Sequence, residues 1–111
     1  MTFDEYHKRA VALIDNESDD EFKAYMAFTL GVVGEAGEIA EKFKKITWHR
    51  AGVVNDEDRE ELKKELGDVL WYLTALSEAL GYSIGEVAEL NLEKLEARKK
   101  RGVLRGDGDN R

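Results

Sequence analysis

The chain has 111 residues, no cysteine, no proline and a formal net charge of −7 at pH 7. That length supports one domain with a modest core, and the missing cysteines exclude disulfides, zinc–thiolate sites and thiol nucleophiles. The charge argues against nucleic acid or anionic lipid as partner, no apolar run approaches the roughly 20 residues of a membrane span, and the opening Met1-Thr2-Phe3-Asp4 lacks the pattern of a secretory leader, which favours a cytoplasmic location.

Ala, Leu, Glu and Lys dominate, which predicts an all-α chain. A first helix is expected from about Thr2 to Ile14, with Phe3, Tyr6, Ala10, Leu13 and Ile14 as its apolar stripe. A polar turn follows, in which Ser18 or Asp19 is placed to cap the next helix. The second helix is expected from about Asp20 to Trp48, with Phe28, Val32, Ile39, Phe43 and Ile46 at helical spacing. Glu35 falls in that row and Glu38 lies beside it. Gly31, Gly34 and Gly37 recur every three residues, which clears one side for close backbone approach or bends the helix near Gly31. Arg50 to Asn55 is non-periodic and reads as a mobile loop.

The third helix is expected from Asn55, a capping residue, to about Leu80, with Gly81 just past its end. Leu62, Leu66, Val69, Leu73, Leu76 and Leu80 form its predicted core stripe, and Glu65, Asp68, Tyr72, Ala75 and Ala79 the row beside it. Between Val69 and Leu76 it is apolar on nearly every side, which predicts a subunit interface. Ser83-Ile84-Gly85-Glu86 is a capping box opening a fourth helix that runs to about Arg101 and stops at Gly102. Residues 1–102 thus form a helical domain. Residues 103–111 form a tail with too few apolar groups to fold alone; it is either a loose end or a flap bringing Arg105 or Arg111 to a site.

Two acid pairs stand out. Glu35 and Glu38, and Glu65 and Asp68, each sit at i, i+3 on one side of a helical turn, inside otherwise apolar patterns. Other pairs at this spacing, such as Asp58 and Glu61 or Glu93 and Glu96, read as solvated faces. Burying an unpaired carboxylate costs several kcal/mol, so four drawn toward a core call for a cation. One solution pairs some of them with Lys42, Lys45 or Lys64. The other is a divalent metal, and oxygen-only ligands select Mg²⁺ first and Mn²⁺ second. His7 and His49 do not fall at a metal-binding spacing, and the di-iron pattern Glu-x-x-His is absent.

Glu-x-x-Glu, 26 residues, then Glu-x-x-Asp resembles the MazG-like branch of the all-α nucleoside triphosphate pyrophosphohydrolases. The likeness extends from Tyr6 to the tail, through Leu30-Gly31 to Glu41-Lys42, Lys64 to Tyr72 and Asn91-x-x-Lys94-x-x-x-Arg98, and the closing Gly-Asp-Gly-Asp-Asn-Arg resembles short single-domain members from phages and bacteria. It implies a four-helix bundle-like MazG fold, and the apolar third helix predicts that it is oligomeric, as homodimer or homotetramer. It also implies Mg²⁺ held by Glu35, Glu38, Glu65 and Asp68, with Asn91, Lys94 and Arg98 on the triphosphate. Some members carry a further glutamate as base where this chain has Gly34. The four-acid arrangement of dCTP-pyrophosphatase-like members is therefore the nearer pattern, with Glu38 as the residue that orients the attacking water. Glu41 is either a fifth site acid or an exposed helix position.

The implied activity is Mg²⁺-dependent cleavage of a nucleoside triphosphate to monophosphate and pyrophosphate. Tyr72 and Trp48 are candidates to stack on the base, with Phe22 and Tyr25 also open, while Trp71 reads as core or interface. Arg98-Lys99-Lys100-Arg101 suits a helix C-terminus better than a nucleic-acid patch. The sequence selects no particular base. The alternative function is a non-catalytic helical interaction protein that keeps the family fold.

Overall fold

The computed structural model describes residues 1–15 and 19–102; the tail and Ser18 lie outside them. Four helices appear in order: α1 (Phe3–Val11), α2 (Glu21–Arg50), α3 (Asp56–Ala79) and α4 (Ile84–Arg101). No strand occurs among the described residues, as the composition predicts.

Each helix starts where a side chain accepts its first free N–H groups. Thr2 Oγ1 accepts from Glu5 N at 3.1 Å. For α2 the cap is Asp20, one residue beyond Asp19, accepting from Phe22 N and Lys23 N. Asn55 and Asp58 close a reciprocal capping box on α3, and Ser83 with Glu86 closes the expected one on α4. Gly81 at φ 88° and Gly102 at φ 75° take the left-handed turns that end α3 and α4. At the end of α2 that turn is made by Ala51 at φ 52°, so the connection to α3 is a short turn over residues 51–55.

Helix α2 runs unbroken through its three glycines. They are not equivalent. A Cβ on Gly31 would lie 2.3 Å from the ring of Tyr72, whereas one on Gly34 or Gly37 would meet nothing within 4 Å. The close approach is thus side chain on backbone, at one glycine.

Helix α2 folds back antiparallel along α3 and packs on α3 alone. Ile46 and Leu62 are buried near the turn end of this hairpin. Helices α1 and α4 pack on α3 and on each other, and neither contacts α2. Helix α1 is tied down at two points. The Trp71 indole N–H donates to Ala10 O at 3.2 Å. His7 Nδ1 accepts the Ile84 N–H at 3.0 Å, and its Nε2 lies 2.6 Å from Glu78 Oε2. Because Nδ1 accepts, Nε2 carries the proton donated to Glu78.

The four helices therefore do not close round one core. The radius of gyration is 16.9 Å, against about 13 Å for a compact chain of this size. Buried apolar residues are few and half of them are alanines: Ala10, Ala24, Ile46, Leu62, Ala75 and Ile84. The buried hydroxyls of Thr74 and Ser77 bond back to Leu70 O and Leu73 O, each at 2.8 Å. The stripe expected as the core of α3 lies partly outside, with Leu66, Leu73 and Leu80 exposed. Leu30 and Val33 on α2 and Val87 and Leu90 on α4 are exposed too.

Two glycine substitutions should have opposite signs. Gly31→Ala forces a methyl into the Tyr72 ring and should lower stability by about 1–3 kcal/mol. Gly34→Ala enters open space and should raise it by up to about 1 kcal/mol. Urea unfolding of both variants checks this; equal shifts would contradict the Gly31–Tyr72 contact.

Candidate metal centre

The antiparallel register of α2 and α3 brings three carboxylates to one point. Glu35, Glu65 and Asp68 each offer an oxygen, and these oxygens lie within 4.8 Å of one another. Glu35 and Glu65 are half-buried and Asp68 is exposed, so the acids line an open face of the hairpin rather than a sealed core.

Glu38 is exposed and stands outside this trio. A step of three residues turns about 300° round a helix, so the Glu35 row faces α3 while Glu38 is rotated off it. Its charge still acts on Glu35. Glu41 pairs with Lys44 at 3.1 Å and takes no part in the trio.

Electrostatics mark the trio as short of positive charge. Burial, then the charge of Asp68, then a hydrogen bond and charge from Glu65 hold the Glu35 carboxyl above its usual range, and Glu38 adds to this. Burial and the same Asp68 push the Tyr6 phenol upward. Among the described residues no lysine, arginine or histidine forms an ion pair with the trio. Lys42 pairs instead with Glu61, and Arg50 with Asp58 at 2.5 Å. Asp58 and Glu61, expected on a solvated face, are thus half-buried partners that lock α2 to α3. Their carboxyls are held below the usual range by those cations. Lys45 and Lys64 remain exposed. Three converging carboxylates form an oxygen-only donor set of the kind hard divalent cations take, and the raised Glu35 is what such a set does without a counter-charge.

One turn from Glu35, the Tyr72 ring lies on Gly31 and meets Trp71 edge-on, with centroids 5.1 Å apart and planes at 80°. Tyr72, Trp71, Phe28, Ala24, Ile14 and Lys23 line a cavity of about 390 Å³. Tyr72 therefore sits between this cavity and the acids. Trp48 does not: it is 78% exposed near the far end of α2, about 20 Å along the helix from Glu35. Phe22 is exposed, and neither it nor Tyr25 lines the cavity.

The triphosphate set expected on α4 is also apart from the trio. Asn91 is exposed, Lys94 half-buried and Arg98 buried. Lys94 and Arg98 line a separate hollow on α4 with Leu90, Glu93, Ala97 and Arg101, and α4 makes no contact with α2. Within one chain, then, Glu35, Glu65, Asp68 and Tyr72 come together, while Trp48, Asn91, Lys94 and Arg98 do not join them. Lys42, Glu61 and Tyr6 border the acids without having been picked out as site residues. The signal for the first two was the hairpin register, which places Lys42 opposite Glu61.

The carboxylate trio between two antiparallel helices is a group that could hold a metal ion. Residues 23–103 match the MazG nucleotide pyrophosphohydrolase domain, and the chain belongs to that family. It is also similar to the Gene 37 protein of Mycobacterium phage L5, with 48% identity over 92 residues, covering 83% of this chain and 81% of that protein. No solved structure gives a significant match. Membership supports, at family level, a divalent-metal-dependent hydrolase of the pyrophosphohydrolase type acting on nucleotides. Among the described residues no helix is long and apolar enough to cross a membrane.

A carboxyl whose pKa is raised by folding binds its proton more tightly in the folded chain. Its stabilising contribution is complete below the ordinary carboxylate range and is lost as pH rises through the raised pKa. Glu35→Gln removes that loss. Without divalent metal, the thermal midpoint of Glu35→Gln should gain on the wild type between about pH 4 and about pH 7. Parallel pH profiles would show that Glu35 carries no such load.

Proposed function

We propose that this protein is a Mg²⁺-dependent nucleoside triphosphate pyrophosphohydrolase, with Mn²⁺ as a substitute ion, converting a (d)NTP and water to (d)NMP and pyrophosphate. The observation that carries the reading is the meeting of Glu35, Glu65 and Asp68 beside an apolar cavity, in a chain whose family acts on nucleotides. Glu35, Glu65 and Asp68 hold the cation, and Glu38 completes the acid set from the rim. When bound, the cation offsets the negative charge of the triphosphate and polarises the α-phosphorus. Glu38, solvent-facing and next to the trio, orients the attacking water and takes its proton. Tyr72 presents its ring to the base at the cavity mouth.

Asn91, Lys94 and Arg98 reach the phosphates from a neighbouring copy in this reading. The exposed Leu30, Val33, Leu66 and Leu73 support a homodimer or homotetramer in which a second chain covers them. Trp48 also approaches a site only across such an interface. Clearing unwanted nucleotides from a cytoplasmic pool fits this activity. The same exposed leucines favour a second reading, a non-catalytic helical interaction protein.

Purified protein with dNTPs and Mg²⁺ should release pyrophosphate, and a chelator should stop it. Glu38→Gln and Asp68→Asn should each abolish release while far-ultraviolet circular dichroism stays helical. Full activity in either variant removes that residue from the mechanism, and orthophosphate as product overturns the reaction type. Sedimentation equilibrium should give a mass of at least two chains; a monomer at all concentrations would contradict the shared site.

A further inference from the structure

We infer that Lys42 contacts the terminal phosphates of the substrate and thereby fixes the direction in which a nucleotide lies along the α2–α3 face; this rests on the pyrophosphohydrolase reading. Lys42 follows Glu35 by seven residues, two helical turns, and so stands in nearly the same row about 10 Å further along α2. Its side chain is 27% exposed and its ammonium pairs with Glu61, one turn before Glu65 on α3. Of the trio it is Glu65 whose charge acts on Lys42. On the other side of the trio, one to two turns before Glu35, lie Phe28, the Gly31–Tyr72 contact and the apolar cavity.

The face therefore carries three stations in a fixed order: an apolar aromatic cavity, three carboxylates, and one ammonium. A nucleoside triphosphate carries the matching order of base, α-phosphate and terminal phosphates. The opposite direction would lay the base over the Lys42–Glu61 ion pair and the terminal phosphates against Phe28 and Tyr72. Cleavage between the α- and β-phosphates leaves the new charge on pyrophosphate, at the end where Lys42 stands. Lys94 and Arg98 of the same chain sit on a helix that does not touch α2, so the hairpin's own cation at this station is Lys42. A lysine suits the exchange, because its compact ammonium sits on a flexible four-carbon stem with three donors. The Glu61 carboxylate competes with phosphate oxygens for this ammonium.

Lys42→Met, Lys42→Arg and Glu61→Gln separate this role from that of an interhelical strut. Lys42→Met should lower kcat/KM for pyrophosphate release about 10- to 100-fold, the scale of one charge-assisted hydrogen bond, and Lys42→Arg should recover most of it. Glu61→Gln frees the ammonium and should leave kcat/KM within about 3-fold of wild type. Calorimetric titration with inorganic pyrophosphate and Mg²⁺ should show about 10-fold weaker binding in Lys42→Met and none of that loss in Glu61→Gln. Equal losses in Lys42→Met and Glu61→Gln, tracking a lower thermal midpoint, would overturn the inference, as would Lys42→Met that binds pyrophosphate like wild type. A wild type that binds pyrophosphate through Lys42 but releases none from dNTPs would sink the enzymatic reading and leave the Lys42 contact standing.

Discussion

Tyr72 lies on the bare backbone of Gly31, and this contact sets how far α2 is slid along α3. From it the remaining pairings follow at helical intervals: Glu35 with Asp68 and Glu65, Lys42 with Glu61, Arg50 with Asp58. A slip of one turn, about 5.4 Å, would put each acid opposite the wrong partner and disperse the trio. The buried apolar core is too sparse to impose such precision by itself. One ring seated on one glycine, with the two ion pairs further along, does it instead.

Those ion pairs also explain why the trio stays negative. A lysine and an arginine lie on the same face, yet each has a nearer acid, Glu61 or Asp58, and each pairing draws the carboxyl pKa down. The Glu35 carboxyl, first by burial and then by the like charges around it, is driven the other way. Cations and acids are thus sorted along the hairpin rather than mixed. The sorting leaves a localised demand for charge that a small, doubly charged ion answers better than a side chain on a long tether.

Local signals in the chain were legible. Asn55, Ser83 with Glu86, Gly81 and Gly102 mark helix ends through hydrogen bonds and backbone angles that depend on a few adjacent residues. Both acid pairs were visible because each interrupts an apolar pattern. Which member of the first pair turns toward α3 was not legible, since Glu35 and Glu38 differ only in rotation about α2, and that rotation is set by packing. The leucine stripe of α3 misled for a related reason. Periodicity reports that a face is apolar, not which surface covers it, and Leu66, Leu73 and Leu80 are left exposed. Asp58 and Glu61 looked like surface charge because their partners lie 8 and 19 residues away on another helix.

Helix α1 lies outside the family-matched segment, which begins at residue 23, yet it gives α4 its bearing. His7 receives the first N–H of α4, and the Asp4 carboxylate sits so close to Gly85 that a Cβ there would be 2.9 Å from it. Nine residues at the start of the chain act as a splint for a helix eighty positions downstream. A fragment trimmed to the shared segment would retain the acid-bearing hairpin while its last helix lost the brace that aims it. The boundary of the family-matched segment and the boundary of the working mechanical unit are different places on this molecule.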